Sequence, residues 1–225
     1  MIGTIFNVSM ILIGCTLGSI FKHGIKPAYH DILMQALGLA ATVIGINAVV
    51  QRMPQSKYPV LFIVSLALGG IIGQALDLQG HFDKLVGRFS GGNLAEGLAT
   101  AILLYCIGSL SILGPIEAAL KHDYTFLFTN GMLDGITSIV LASTFGFGIA
   151  IAAGVLFLWQ GSIYVLAVVL RSALSTTLIN EITIVGGILI LASGLGLLNI
   201  KKINTLNLLP ALLVPPIAIA ILNLF

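Results

Sequence analysis

The sequence predicts an all-α fold, a polytopic bundle of seven to eight transmembrane helices. Three observations carry that reading. Hydrophobic residues make up 58% of the 225-residue chain and charged residues only 8%, against roughly 25% charge in ordinary soluble chains. The mean hydropathy is +1.11. The apolar runs are long, as in Ala101 to Leu113, where Tyr105, Cys106, Ser109 and Ser111 are the main interruptions. A lipid-exposed barrel strand alternates over about ten residues, so runs of this kind are helices, whose amides pair within the element. This composition excludes a soluble globular enzyme, a disordered tail and a coiled coil. Ten Lys and Arg against eight Asp and Glu, a net charge of +2, leave no basic face for nucleic acid. A span needs about 20 apolar residues, so seven or eight of them use most of the chain as a single transmembrane domain, 1–225.

The elements follow in order. The first span covers Ile2 to Phe21; its basic flank, Lys22 and Lys26, comes after it. A secretory signal has a positive segment ahead of the apolar one and a small-residue cleavage site, so this span is expected to be retained. The second runs from Ile32 to Val50 and the third from Pro59 to Leu76. The polar stretch 77–93 carries Leu78, Phe82, Leu85, Val86 and Phe89 at helical spacing, which suggests a short helix lying in the interface. The fourth span, Leu94 to Ala119, is expected to break near Gly114-Pro115. Residues 124–170 are too long for one crossing at about 1.5 Å per residue. A glycine-rich turn at 145–148 divides them into spans at 125–144 and 147–170. Ile179 to Leu198 and Leu206 to Phe225 complete the set. A re-entrant fifth element would reduce the count to seven. With eight spans, Lys22, Lys26, Lys84, Arg88, Lys201 and Lys202 share one side and Arg52, Lys57, Lys121 and Arg171 the other, which places both termini outside.

A shift of 149 residues superposes the first three spans on the last three without a gap. Lys22 meets Arg171, Gly38 meets Gly187 and Gly45 meets Gly194. Residues 1–76 and 150–225 are then candidate repeats around a central segment, 77–149. With two spans between them the second copy is inverted, a recurring transporter plan with its site near the midplane. The alternative is chance matching of Leu, Ile, Gly and Ala.

Ionisable groups at membrane depth cost about 2.5 kcal/mol or more, so they are the first functional candidates. Asp134 leads. Asn130, Asp134 and Ser138 are four apart and share one helix face. The alternative is that Asp134 caps a broken helix. Glu96 and Glu181 each open a span, where the helix dipole favours an acid; Arg171 could pair with Glu181. Asn7, Gln35, Asn47, Gln74 and Gln160 place amides within or near apolar spans, where interhelical hydrogen bonding is the plainer role. Gln160 stands out between Trp159 and Gly161. Glu117 and Asp123 read as a solvated loop with Lys121. Cys15 and Cys106 read as small core residues, and the four histidines lack ligand spacing, so no metal or other cofactor is expected. Small-xxx-small pairs at Gly14/Gly18, Gly69/Gly73, Gly131/Gly135, Ala142/Gly146 and Ala150/Gly154 point to close helix packing and to a candidate homo-oligomer contact. Motifs for nucleotide hydrolysis, zinc chemistry, a nucleophile elbow or a potassium filter are missing.

Several segments resemble the DUF554 family of bacterial membrane proteins. They are Gly3-Thr4-Ile5-Phe6-Asn7, Met34-Gln35-Ala36-Leu37-Gly38-Leu39, Ile44-Gly45-Ile46, Glu96-Gly97, 133–138, Gln160-Gly161, Glu181, 194–201 and Leu209-Pro210-Ala211. The resemblance covers essentially the whole chain; Ser109 departs from it, where glycine or alanine is expected. It implies a multi-pass protein of the bacterial cytoplasmic (inner) membrane and shared polar positions at Asn7, Gln35, Glu96, Asp134, Gln160 and Glu181. It supplies little chemistry. The expected function is a transporter or channel for a small solute or ion within the lipid bilayer, with Asp134 as the charged group and no enzymatic activity. A non-transporting scaffold or regulatory partner is the alternative, and a lipid enzyme comes third.

Overall fold

The computed structural model describes residues 1–20, 27–81, 84, 93–107, 109–170, 175–201 and 203–222. Among them the regular structure is all helical: α1 (Ile2–Ile20), α2 (Pro27–Arg52), α3 (Leu61–Ala75), α4 (Asn93–Ile107), α5 (Ser109–Lys121), α6 (Thr125–Phe145), α7 (Ile151–Val169), α8 (Thr176–Leu197), α9 (Thr205–Leu208) and α10 (Val214–Leu222). Five stretches are long and apolar enough to cross a membrane, or six if α4 and α5 form one bent span. The interfacial helix expected over 77–93 falls mostly outside the described residues. Burial is inverted relative to a soluble protein. Ile20, Val43, Ile71, Leu158 and Val169 lie outside, while Asn7, Asp134, Gln160 and Glu181 lie inside. That is the distribution hydrocarbon solvent imposes, since lipid solvates an isoleucine and cannot solvate a carboxylate.

Local sequence explains most boundaries. The break between α6 and the following 3-10 turn falls at Gly146, whose φ of 89° suits glycine and disfavours side chains. Its N–H still reaches the Ala142 carbonyl at 2.9 Å. The helix α8 starts three residues before the expected Ile179, because the Ser175 hydroxyl accepts from the Leu178 N–H at 3.2 Å and caps it. The last apolar stretch, expected as one span, is one apolar helical stretch, Thr205–Leu222. A 3-10 turn at Leu209–Leu213 joins α9 to α10 within it, where Pro210, Pro215 and Pro216 supply no amide donors. Pro115 does not end its helix as expected; it sits inside α5. The 44° bend comes earlier, between Cys106 and Ser109. Membrane helices accept an internal proline when neighbours take up the freed carbonyl.

The chain forms two compact units. One comprises Met1–Leu33 and Asp83–Arg171, the other Met34–Phe82 and Ser172–Phe225. In the first, α1 and α6 run parallel. Gly3 lies on Leu127, Gly14 on the Gly135 carbonyl and Gly18 on the Ile139 carbonyl, while Gly131 faces Phe6 and Asn7. A Cβ at Gly14 or Gly18 would collide with backbone, so these glycines set the helix separation. Around this pair, Ile11, Cys15, Ala101, Tyr105, Ala142, Ala152 and Leu156 form an apolar core. In the second unit α2 and α8 cross antiparallel. Gly38 lies against Gly194, and Gly45 against Gly187. Gly69 and Gly73 of α3 rest on Ala211 and Asn207. The Asn207 side chain ties this contact together, accepting from the Gln79 N–H at 2.8 Å and donating to Gln74 Oε1 at 2.9 Å. Of the small-residue pairs, Ala142/Gly146 and Ala150/Gly154 are exceptions to close packing: a Cβ at Gly146 or at Gly154 would meet nothing within 4 Å.

Candidate functional site

The first unit holds its polar groups along the α1–α6 contact. Asp134 lies near the middle of α6, far from the ends a capping role requires, and is 5% exposed. The four-residue spacing does what it predicts. Asn130 Nδ2 donates to Asp134 Oδ2 at 2.9 Å, and Ser138 Oγ donates to the Asp134 backbone carbonyl at 2.6 Å. Ser138 Oγ also lies 2.7 Å from the Tyr105 hydroxyl. A serine hydroxyl has one proton, and that one goes to the carbonyl, so Tyr105 donates to Ser138. Among the described residues no basic side chain forms an ion pair with Asp134.

On α1, Thr4 and Asn7 are both fully buried and three apart on one face, and Asn7 packs against Gly131 of α6. The Asn7 amide lies within donor reach of the Asp134 carboxyl, short of full hydrogen-bond geometry. Yet Thr4 Oγ1 and both polar atoms of the Asn7 amide have no hydrogen-bond partner among the described residues. Each such group typically costs about 1–3 kcal/mol when left unpaired. Elsewhere in this unit, Gln160 Nε2 donates to Ser111 Oγ at 3.1 Å, while its Oε1 has no partner among the described residues. Glu117, expected in a solvated loop, is instead buried in α5, with Lys121 at 3.2 Å. An i,i+4 cation one turn along lets the acid enter the bundle.

The remaining candidates lie apart from this network. Glu181 belongs to the second unit, where its Oε1 accepts from Ser56 Oγ at 2.7 Å and from the Tyr58 N–H at 3.2 Å. Gln35, in the same unit, is exposed. Glu96 is in the first turn of α4, where the dipole argument places it. The structure therefore gathers Asn7, Asn130, Asp134 and Ser138 and adds Tyr105, with Thr4 buried one turn before Asn7 on α1. Sequence reasoning passed over those two. Tyr105 was visible as a hydroxyl in an apolar run, and Thr4 as the position one turn before Asn7. Among the described residues no three His, Cys, Asp or Glu side chains form a metal-binding group.

A family model described as "Protein of unknown function (DUF554)" matches residues 2–220. The chain is 68% identical over 225 residues to a Bacillus subtilis (strain 168) protein named "Uncharacterized membrane protein YdfK", covering 100% of this chain and 98% of that protein. It is 25% identical over 223 residues to "Uncharacterized protein YqgA" of Escherichia coli (strain K12), covering 94% of this chain and 93% of that protein. No solved structure matches.

Proposed function

The chain belongs to the DUF554 family and is a membrane protein, and we propose that it passes a small ion, a cation, across the bacterial cytoplasmic membrane at a site centred on Asp134. One observation carries the reading. A buried acid without a basic partner among the described residues has beside it the Asn7 amide, whose oxygen is unpaired, with the unpaired Thr4 hydroxyl one turn away on the same helix. A structural acid in hydrocarbon collects donors until its charge is matched. Here a cation supplies the match: the carboxylate provides charge, and Thr4 Oγ1 and Asn7 Oδ1 provide neutral oxygens in place of water. The Asn130 and Tyr105–Ser138 hydrogen bonds hold the acid in place.

On this reading the chain crosses eight times. The first crossing is α1 and the fifth is α6, and their parallel packing agrees with that numbering. The non-transporting scaffold draws less support, because the glycine faces it would offer a partner are mostly occupied within the chain. The open Ala150/Gly154 face is the one we assign to contact with a second copy. No enzymatic step is proposed. The test is flux of Na+, K+ and protons, each measured separately, in liposomes reconstituted with purified protein. Asp134→Asn should abolish the flux of the transported ion while the protein purifies as a folded species; unchanged flux rejects the site.

A further inference from the structure

The α2–α8 crossing carries more information than a close contact. Gly38 is bounded by Gly194, Leu197 and Leu198; Gly187 is bounded by Gly45, Ala48 and Val49. Each neighbour of Gly38 is the residue 149 positions after a neighbour of Gly187, and Gly187 is itself 149 positions after Gly38. The inner pair behaves the same way. Gly45 is bounded by Gly187 and Leu191, and Gly194 by Gly38 and Thr42. Contacts that exchange in this manner are those of a two-fold axis, here passing between Thr42 and Leu191.

Any two antiparallel helices that cross have a local two-fold where they meet. What is specific here is the offset. It is the same 149 that superposes the apolar spans of the two ends of the sequence. The third segments of the two candidate copies also pack on one another, Gly69 on Ala211 and Gly73 on Asn207. One number thus governs the sequence register and a set of reciprocal contacts. Chance matching of apolar residues has no reason to produce that agreement.

We propose that residues 34–76 and 183–225 are an inverted duplication whose two-fold axis lies in the membrane plane at Thr42 and Leu191, and that the α2–α8 crossing is the pivot of a carrier. An in-plane axis puts a residue and its counterpart 149 positions later on opposite faces of the membrane. It also makes opening toward either face the same distortion of one crossing, which is how inverted repeats give alternating access. The word carrier rests on the transport reading; the duplication and its sidedness do not.

The test uses the full chain with Cys15→Ala and Cys106→Ala. Single cysteines are placed at exposed positions that are counterparts, Gln55→Cys with Asn204→Cys, and Gln51→Cys with Ile200→Cys. In intact cells a membrane-impermeant maleimide should label one member of each pair, and the other only after the membrane is permeabilised. Labelling of both members from the same face overturns the proposal. A second readout needs no labelling. Gly45→Ala and Gly194→Ala should lower the thermal midpoint equally, and Gly38→Ala and Gly187→Ala should form a second, milder matched pair. Four unrelated shifts overturn the axis even if the sidedness holds. Loss of flux in Asp134→Asn bears on the transport site and leaves both outcomes untouched, so the two ideas fail separately.

Discussion

Asp134 and Glu181 are both acids buried in apolar surroundings, and they are held in opposite ways. Glu181 lies near the start of α8 and receives two donors on one oxygen, the Ser56 hydroxyl and the Tyr58 amide. Asp134 lies in the middle of α6, accepts from Asn130, and has the Asn7 amide beside it without a fully formed hydrogen bond. Burial is the same in both cases, so burial alone does not mark a site. The difference is whether the protein itself completes the hydrogen bonding. Where it does, the acid fastens two segments together; where it does not, the proposed ion has room to act as the missing partner.

The comparison breaks first at the acids themselves. Asp134→Asn should remove ion flux in proteoliposomes altogether with little change in thermal midpoint. Glu181→Ala should reverse that pattern: flux per folded molecule is retained, and stability falls by about 1–3 kcal/mol, because the Ser56 hydroxyl loses its acceptor and the Tyr58 N–H keeps only Ser56 Oγ. Equal losses of flux in both variants would erase the distinction. Next comes the α1–α6 contact beneath the site. Gly14→Ala pushes a methyl into the Gly135 carbonyl and should cost about 1–3 kcal/mol, the usual range for overpacking, measured by thermal unfolding in detergent. Asn7→Leu sharpens the contrast further. It removes an unpaired buried amide, so the protein should be as stable as before or more so, while flux drops. The smallest effect belongs to Gly154→Ala, which meets no atom of its own chain within 4 Å and should shift the stability of the single chain by less than about 1 kcal/mol, while lowering the fraction of paired copies that the Ala150/Gly154 contact supports.

Helices and their breaks were largely legible in the sequence, because hydrocarbon leaves the backbone few options. The turn at 145–148 was expected and falls at Gly146, and the face shared by Asn130, Asp134 and Ser138 follows from spacing alone. The partners across helices were not legible. Periodicity says which residues share a face, and it is silent on which face meets which, so Tyr105 on Ser138 and Ser111 on Gln160 had to come from packing. The place of the bend between α4 and α5 was misjudged for a related reason. Proline carries the stronger local signal, yet its surroundings decide whether the helix continues. Even the faint match between the two ends of the chain became a matter of contacts only when Gly38 and Gly187 exchanged neighbours.

The tyrosine at the back of the site has an optical consequence. Its hydroxyl is committed to Ser138, whose own proton is committed to the main chain of Asp134, so the phenol ring is wired to the acid through two short links. A charge arriving at that carboxylate changes the field across the ring. Near-ultraviolet difference absorbance of the purified protein on adding salt is therefore a built-in gauge of occupancy, and Tyr105→Phe is the blank that isolates its signal.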